Sequence, residues 1–476
     1  MKTQTLIPRI TCPKTMAGRL GTACATKLLP LLLLLTLPAV AQAQFSYTVN
    51  NGAITITGYT GPGGAVTIPS TINGLPVTSI GDWAFYEISS LSSVTIPDSV
   101  TNVGRYAFEL CTSLPSVTIP NSVTSIGENA FSGCSSLTNV TIGNSVSSIG
   151  VAAFNGCTSL PSVTIPHSVT SIGQHAFGSC RILSSVTIPS SITNIADYTF
   201  EYCLSLTNVT IPSSVTRIGD DAFLYCISLT SVTIPNSVTS IGHFAFVGCS
   251  SLTNVTIPSS VTSIGEDGFD ACSSLTSIMV DALNSVYSSV NGVLLDKNQA
   301  TLIAYPGGRV GTYTIPNSVT NIGGYAFSLC GSLTSVTIPS SVSNIGDWAF
   351  EYCASLQGVY FEGSAPRFGL SIFLNDTNVT VYYLPGTSGW GPFFANRPTV
   401  LWNPQVQPAS FGVRANQFGF SITGSSNLVI VIEASTNLAN PTWSPLQTNT
   451  LTGDSSYFSD AQWTNYPGRF YRLRWP

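Results

Sequence analysis

Residues 122–144 read SVTSIGENAFSGCSSLTNVTIGN, and the same frame, SVTxIGxxAFxxCxSLxxVTIPx, runs through the neighbouring segments. The phase is carried by Phe85, Phe108, Phe131, Phe154, Phe177, Phe200, Phe223, Phe246 and Phe269, each 23 residues from the next, and it returns at Phe327, Phe350 and Phe373. A fixed period of this length marks a repeat array. Around Val117, Thr118 and Ile119 apolar and polar residues alternate with β-branched side chains, which predicts a short strand. Pro120 follows and ends it, because proline lacks the N–H that a longer ladder needs. Ala130, Phe131 and Cys134 are spaced to share one side of a single helical turn. A unit of 23 residues cannot bury its own apolar side, so stacking must make continuous columns of Val, Ile, Phe, Leu and Cys.

These motifs resemble the BspA-like leucine-rich repeat family, whose LxxIxLP and AFxxC elements are matched by Leu137, Val140 and Ile142 and by Ala130, Phe131 and Cys134. The resemblance covers residues 65–385. It implies a right-handed leucine-rich-repeat solenoid with a short parallel β-strand and one helical turn per 23-residue repeat. It also implies secreted or cell-surface proteins that often act as adhesins. The departures are few: Gly143 replaces the proline, Thr199 and Gly268 the alanine, and Ile88 and Asp376 the cysteine of end repeats. End repeats deviate because they cap the stack.

Working outward from the array, a 58-residue interval separates Phe269 from Phe327. Repeats therefore occupy residues 65–272 and 313–385, with an insertion at 273–312. Within it, Asn291–Gly308 carries two strand-like runs flanking the polar turn Asp296 to Gln299, which predicts a protruding β-hairpin. At the N-terminal end, FSYTVNNGAITITGY places Asn51 and Gly52 between alternating strands, a hairpin cap over residues 44–64. Residues 386–404 read as a C-terminal cap, and the Pro/Gln stretch from Gln405 as a linker. Residues 405–476 carry strand-like runs near Phe418–Thr423, Leu428–Ala434, Trp443–Thr450, Tyr457–Asp460 and Phe470–Arg474, a small β-sandwich-like domain. Trp443, Trp463 and Trp475 read as its core, with sugar stacking as the alternative.

Residues 1–43 carry the signature of a signal peptide: Lys2, Arg9, Lys14, Arg19 and Lys27, an apolar run from Leu28 to Ala41, and a small-residue site at Ala41 and Ala43. The run is short for a bilayer span, which needs about 20 residues. No membrane span is expected after its removal, and the protein reads as secreted or held at the cell surface. Charged residues make up 8 % of the chain and the net charge is −5, so no basic patch exists to neutralise nucleic acid.

Chemistry is sparse. Ten cysteines, Cys111 to Cys353, share one repeat slot, where parallel side chains predict buried thiols, although the distance between ladder neighbours alone permits disulfides. His167, His175 and His243 fall at different phases, without metal spacing. No nucleophile elbow, metalloprotease helix or phosphate loop appears, and acidic pairs such as Asp220–Asp221 and Glu266–Asp267 lie on variable turns. No catalytic residue, cofactor site or metal site is expected, and the chain reads as non-catalytic.

What remains is surface. The slot two residues before each repeat Phe holds Trp83, Tyr106, His175, Tyr198, Phe244, Tyr325 and Trp348 among smaller residues, and Tyr202, Tyr225 and Tyr352 join the same turn beside Glu109, Glu201 and Glu351. One reading makes these rings hot spots for an extracellular protein or glycan partner. The other makes them shields over the turns. The expected function is an extracellular protein-interaction or adhesion module. Glycan binding and a structural envelope role are the alternatives. A remote one is ice binding by the threonine column Thr95, Thr118, Thr141 and onward.

Overall fold

The computed structural model describes residues 44–425 and 428–474. The expected signal segment and Trp475 lie outside the described residues. From residue 64 to 401 the chain winds as a parallel-strand solenoid whose coils repeat about every 23 residues. Each coil contributes two short strands: one at xVT, such as Ser116–Thr118 and Asn139–Thr141, and one at the SI dipeptide, such as Ser125–Ile126 and Ser148–Ile149. Successive coils pair in register, with Ser148 against Ser125 and Val186 against Val209. Val and Ile point inward while their Ser and Thr neighbours face out, so alternation within three residues decides the face.

The second strand was not expected. Two residues are too few to show periodicity, and the signal was instead the glycine that follows. A Cβ at Gly127, Gly150 or Gly173 would lie 2.5–2.6 Å from the backbone of the preceding coil. Glycine at this slot lets consecutive coils touch backbone to backbone.

The expected helical turn does not form: among the described residues the only helical elements are two 3-10 turns, Pro408–Ser410 and Trp463–Asn465. The reason is backbone sign. The residues two before and two after each Phe adopt left-handed conformations, for example Tyr106 (φ 56) and Leu110 (φ 58) around Phe108, which no α-helix tolerates. Hydrogen bonding follows the same alternation. Tyr106, Phe108 and Leu110 donate their N–H groups to the next coil, at Glu128, Ala130 and Ser132 (2.7–2.8 Å), while Glu109 and Cys111 donate back three residues to Tyr106 and Phe108. The turn thus serves as a third ladder between coils, and its backbone groups are paired without a helix.

One outer ladder is interrupted. Leu91–Thr95 does not continue into Ser116–Thr118, nor Asn139–Thr141 into Ser162–Thr164, nor Ser231–Thr233 into Asn254–Ile257. At the first two breaks Pro115 and Pro161 sit at the start of the later strand, and neither can donate to the preceding coil.

The core is a prism. Rings from Phe85 to Phe269 stack face to face at centroid separations of 4.8–5.9 Å, and Tyr305, Phe327, Phe350 and Phe373 continue at 4.7–5.5 Å. Each buried Phe contributes about 1.5–3 kcal/mol of burial, and stacking adds about 0.5–1.5 kcal/mol. The ten repeat cysteines are free, buried thiols. Each thiol donates to a carbonyl of the coil before, as Cys134 Sγ does to Phe108 O (3.1 Å), so the slot suits a small apolar group with one donor. Burial pushes Cys111, Cys180 and Cys249 up to about 12, which keeps them protonated and unreactive near neutrality.

The insertion does not protrude. Val293–Asp296 and Thr301–Ala304 form the expected antiparallel pair, with Tyr287–Val290 added on the other side. Val293, Leu294, Leu295 and Leu302 are fully buried, and Thr301–Ala304 pairs in parallel with Asn321–Ile322 of the next coil. The hairpin therefore stands in for a coil. Asn284 fastens it: wholly buried, it donates to the Pro258 and Val261 carbonyls and accepts from the Val286 and Tyr287 N–H groups, all at 2.8–2.9 Å.

At the N-terminal end Phe45–Asn50 and Ala53–Tyr59 pair across Asn51 and Gly52, both at positive φ. Beyond the array lie two small antiparallel sheets. The stretch read as a linker is partly strand, since Gln405–Val406 pairs with Thr423 and Ile422. Phe420, Ile422, Leu428, Ile430 and Phe458 fill the core there. Trp443 and Trp463 are only half-buried, contrary to expectation; Trp443 lies under the Arg472 guanidinium and Trp463 donates to Asn416 O. Arg472 and Arg474 alternate along one strand so that both reach Glu433. In the last coils Tyr360 and Tyr382 take over the outer threonine slot, stack at 4.7 Å, and share a core with Trp402, Ile422 and Ile430. The C-terminal sheets dock on that pair.

Candidate functional site

All ten rings singled out from the sequence stand on left-handed backbone. Trp83, Tyr106, His175, Tyr198, Phe244, Tyr325 and Trp348 occupy the slot before Phe and Tyr202, Tyr225 and Tyr352 the slot after it, with φ between 51 and 62. Glycine relieves this conformation and is used at Gly133, Gly156 and Gly248 of the later slot. A bulky ring at such a place is held at a conformational cost of about 1–2 kcal/mol. The backbone asks for these conformations in every coil, whereas the rings are an additional feature of some.

The rings do not make one stripe. They gather into separate stacks: Trp83 on Tyr106 (4.0 Å, 10°), His175 on Tyr198 (4.4 Å, 6°), Tyr202 on Tyr225 (5.3 Å, 14°) and Tyr325 on Trp348 (5.0 Å, 21°). Asn129 and Ala152 separate the first stack from the second. Phe244 and Tyr352 stand outside these pairs, exposed on the same edge. Trp83 is 50 % exposed and Tyr202 and Tyr225 41 % each, so the stacking that shields one face of each ring leaves an apolar area facing water.

Sequence reasoning missed several members of this edge. Tyr86 packs edge-on against Trp83 at 5.0 Å. Leu110, Val151, Ile182, Ile227, Leu329 and Leu370 are exposed on the turns as well. Leu110 and Leu329 share the left-handed slot after Phe, and a large residue where three repeats use glycine was the available signal.

Carboxylates surround the rings. Tyr106 Oη donates to Glu128 (3.1 Å), which also holds Arg105. His175 Nδ1 lies 2.7 Å from Glu201, and Arg217 bridges Asp197 and Asp220. The neighbouring Asp221 charge, with some desolvation, raises the Tyr198 phenol above its ordinary value.

Where the insertion replaces a coil, a cleft of about 190 Å³ opens between the Phe269 and Phe327 turns. Ser328 Oγ spans it to Asp270 (3.1 Å). Burial, reinforced by neighbouring carboxylates, pushes Asp267 up to about 7 and Asp270 up to about 6. Asp376, at the cysteine slot of the last coil, is buried, and desolvation pushes its carboxyl up to about 7 against the opposing pull of the Cys353 backbone N–H and of Arg397.

Among the described residues no helix is long and apolar enough to cross a membrane. Several solved structures resemble this one, among them two bacterial leucine-rich repeat proteins. A leucine-rich repeat protein from Bacteroides ovatus is 26 % identical, covers 75 % of this chain and 98 % of its own, and superposes with a TM-score of 0.56. A leucine rich cell surface protein from Faecalibacterium prausnitzii is 30 % identical over 72 % of this chain and 88 % of its own, with a TM-score of 0.47. No curated protein matches the sequence. The model of the BspA type leucine-rich repeat region matches in six copies, over residues 78–207, 193–291 and 304–389, so the repeat frame, the phenylalanine prism and the cysteine column mark this chain as a member of that family.

Proposed function

We propose that the protein is an exported, non-catalytic interaction module that works at the cell surface or in the extracellular space, and that it adheres to a protein partner through its turn edge. The observation that carries this reading is the coincidence of ring stacks and carboxylates on left-handed turns. Exposed aromatic groups supply large contact area at small entropic cost. The carboxylate rim, with few cations on it, favours a partner face that carries Lys or Arg beside its apolar groups, and long-range attraction of that kind weakens with salt.

Membership of a family of repeat solenoids supports a binding role, because stacked coils present one extended surface. Export rests on the signal-peptide signature of residues 1–43. The test is capture of partners from an extracellular protein array by the full chain and by a Trp83→Ala, Tyr202→Gly, Tyr225→Gly variant. We expect the variant to lose at least about tenfold in affinity, the effect of losing roughly 1.4 kcal/mol. Capture unchanged by the variant, or retained by residues 405–476 alone, would overturn the reading.

A further inference from the structure

Away from the turn edge, the outer strand face of the last coils meets the C-terminal sheets. A cleft of about 380 Å³ lies on the outer strand face there, and none of its lining residues is charged. Its floor is built by register. Thr312, Ser335, Gly358 and Thr380 are consecutive partners along the ladder, one per coil. Gly358 interrupts the row of hydroxyl side chains, and the Tyr360 ring fills the gap: a Cβ at 358 would lie 2.8 Å from the Tyr360 hydroxyl oxygen. The row is thus continued by a phenol hydroxyl in place of the missing side chain. Gln357 and Asn378 are exposed along one margin, and Val429 of the C-terminal sheets, whose carbonyl accepts from Trp402 Nε1 (3.1 Å), closes the other.

The chemistry narrows the ligand. Hydroxyl and amide groups, spaced by about the 4.8 Å of neighbouring strands, offer donors and acceptors alternately and no charge. A charged ligand would give up hydration here for no counter-charge, and an apolar one would bury the hydroxyls unpaired. A peptide seeking backbone pairing would need an open sheet edge, whereas this is a sheet face. We propose that the cleft is a binding site for a neutral saccharide. The same outer face farther toward the N terminus forms a second groove along Thr95, Thr118 and Thr141 with Asp98 at its side, and neither a tyrosine nor a residue of the C-terminal sheets lines it.

The site is independent of the aromatic turn edge, so the two are separable by experiment. Saturation-transfer NMR and calorimetry on the full chain would use neutral hexose and N-acetylhexosamine oligosaccharides, with their sulfated and sialylated counterparts. The expected result is binding of a neutral oligosaccharide that falls about tenfold in the Gln357→Ala, Asn378→Ala double variant, the effect of two lost hydrogen bonds. Thr118→Ala in the N-terminal groove and Trp83→Ala on the turn edge should leave it unchanged. Should the double variant lose stability, Thr312→Val, also at an exposed position, carries the same test with about a fivefold loss. Absence of neutral-saccharide binding, tighter binding of the acidic counterparts, or an equal loss in Thr118→Ala would overturn the proposal.

Discussion

At the scale of one residue, the sign of φ explains more than side-chain type. Tyr225 sits at φ 53 with its ring stacked on Tyr202 and lying against the backbone of Gly248, where a Cβ would come within 2.5 Å of the ring. Glycine at 225 would release about 1–2 kcal/mol of left-handed strain and forfeit about 0.5–1.5 kcal/mol of stacking, leaving stability nearly unchanged. A β-branched residue keeps the strain, worsens it and also loses the stack. We therefore expect Tyr225→Gly to unfold within about 0.5 kcal/mol of the parent in urea, and Tyr225→Val to lose about 2 kcal/mol. Equal midpoints for the two variants would contradict the left-handed assignment.

At the scale of the element, the coil beside the insertion holds two half-buried carboxyl groups and the last coil a buried one, and their titration is read in stability. Asp267 and Asp270, pushed up to about 7 and 6, and Asp376, up to about 7, titrate near 3.8 when the chain unfolds. Between about pH 4 and 7 the folded state then holds more protons than the unfolded one, so these groups favour folding at low pH and the contribution is lost as pH rises through 6–7. Thermal unfolding should show a higher Tm at pH 5 than at pH 8, and Asp267→Asn should reduce that difference. A Tm that rises steadily across the same window would count against these shifts.

Much of this element was legible. The Phe period, the xVT strand and the cysteine column follow directly from residue spacing, because each is a side-chain column. What escaped were features of the backbone. The SI strand is two residues long, and the left-handed turn mimics helical spacing at Ala130, Phe131 and Cys134 while running its N–H groups to the next coil. The ring site was legible as a list of residues but not as stacks, since ring contact depends on whether adjacent coils both carry one.

At the scale of the whole molecule, a solenoid is nearly one-dimensional, and its cooperativity depends on every interface along it. One continuous core runs from Phe45 to Leu294 and a second begins at Val293, so the two meet on adjacent residues of the insertion hairpin. Asn284 is the polar fastening at that junction, linking Pro258 and Val261 of the preceding coil to the strand that starts at Tyr287. Replacing it with alanine takes the partner from the Val261 carbonyl and from the Val286 and Tyr287 N–H groups, and leaves the Pro258 carbonyl only the Val261 N–H (3.3 Å). The local cost is about 3 kcal/mol or more. The loss falls on the coupling between the arrays rather than on either prism, because the ring columns on both sides remain intact. The parent should unfold in one transition, and Asn284→Ala in two, with hydrogen exchange rising first across residues 277–304 and the two arrays then opening at different denaturant concentrations. A single transition shifted to lower denaturant would mean instead that the prisms are coupled through apolar packing at Leu294 and Leu295, with Asn284 contributing only local stability.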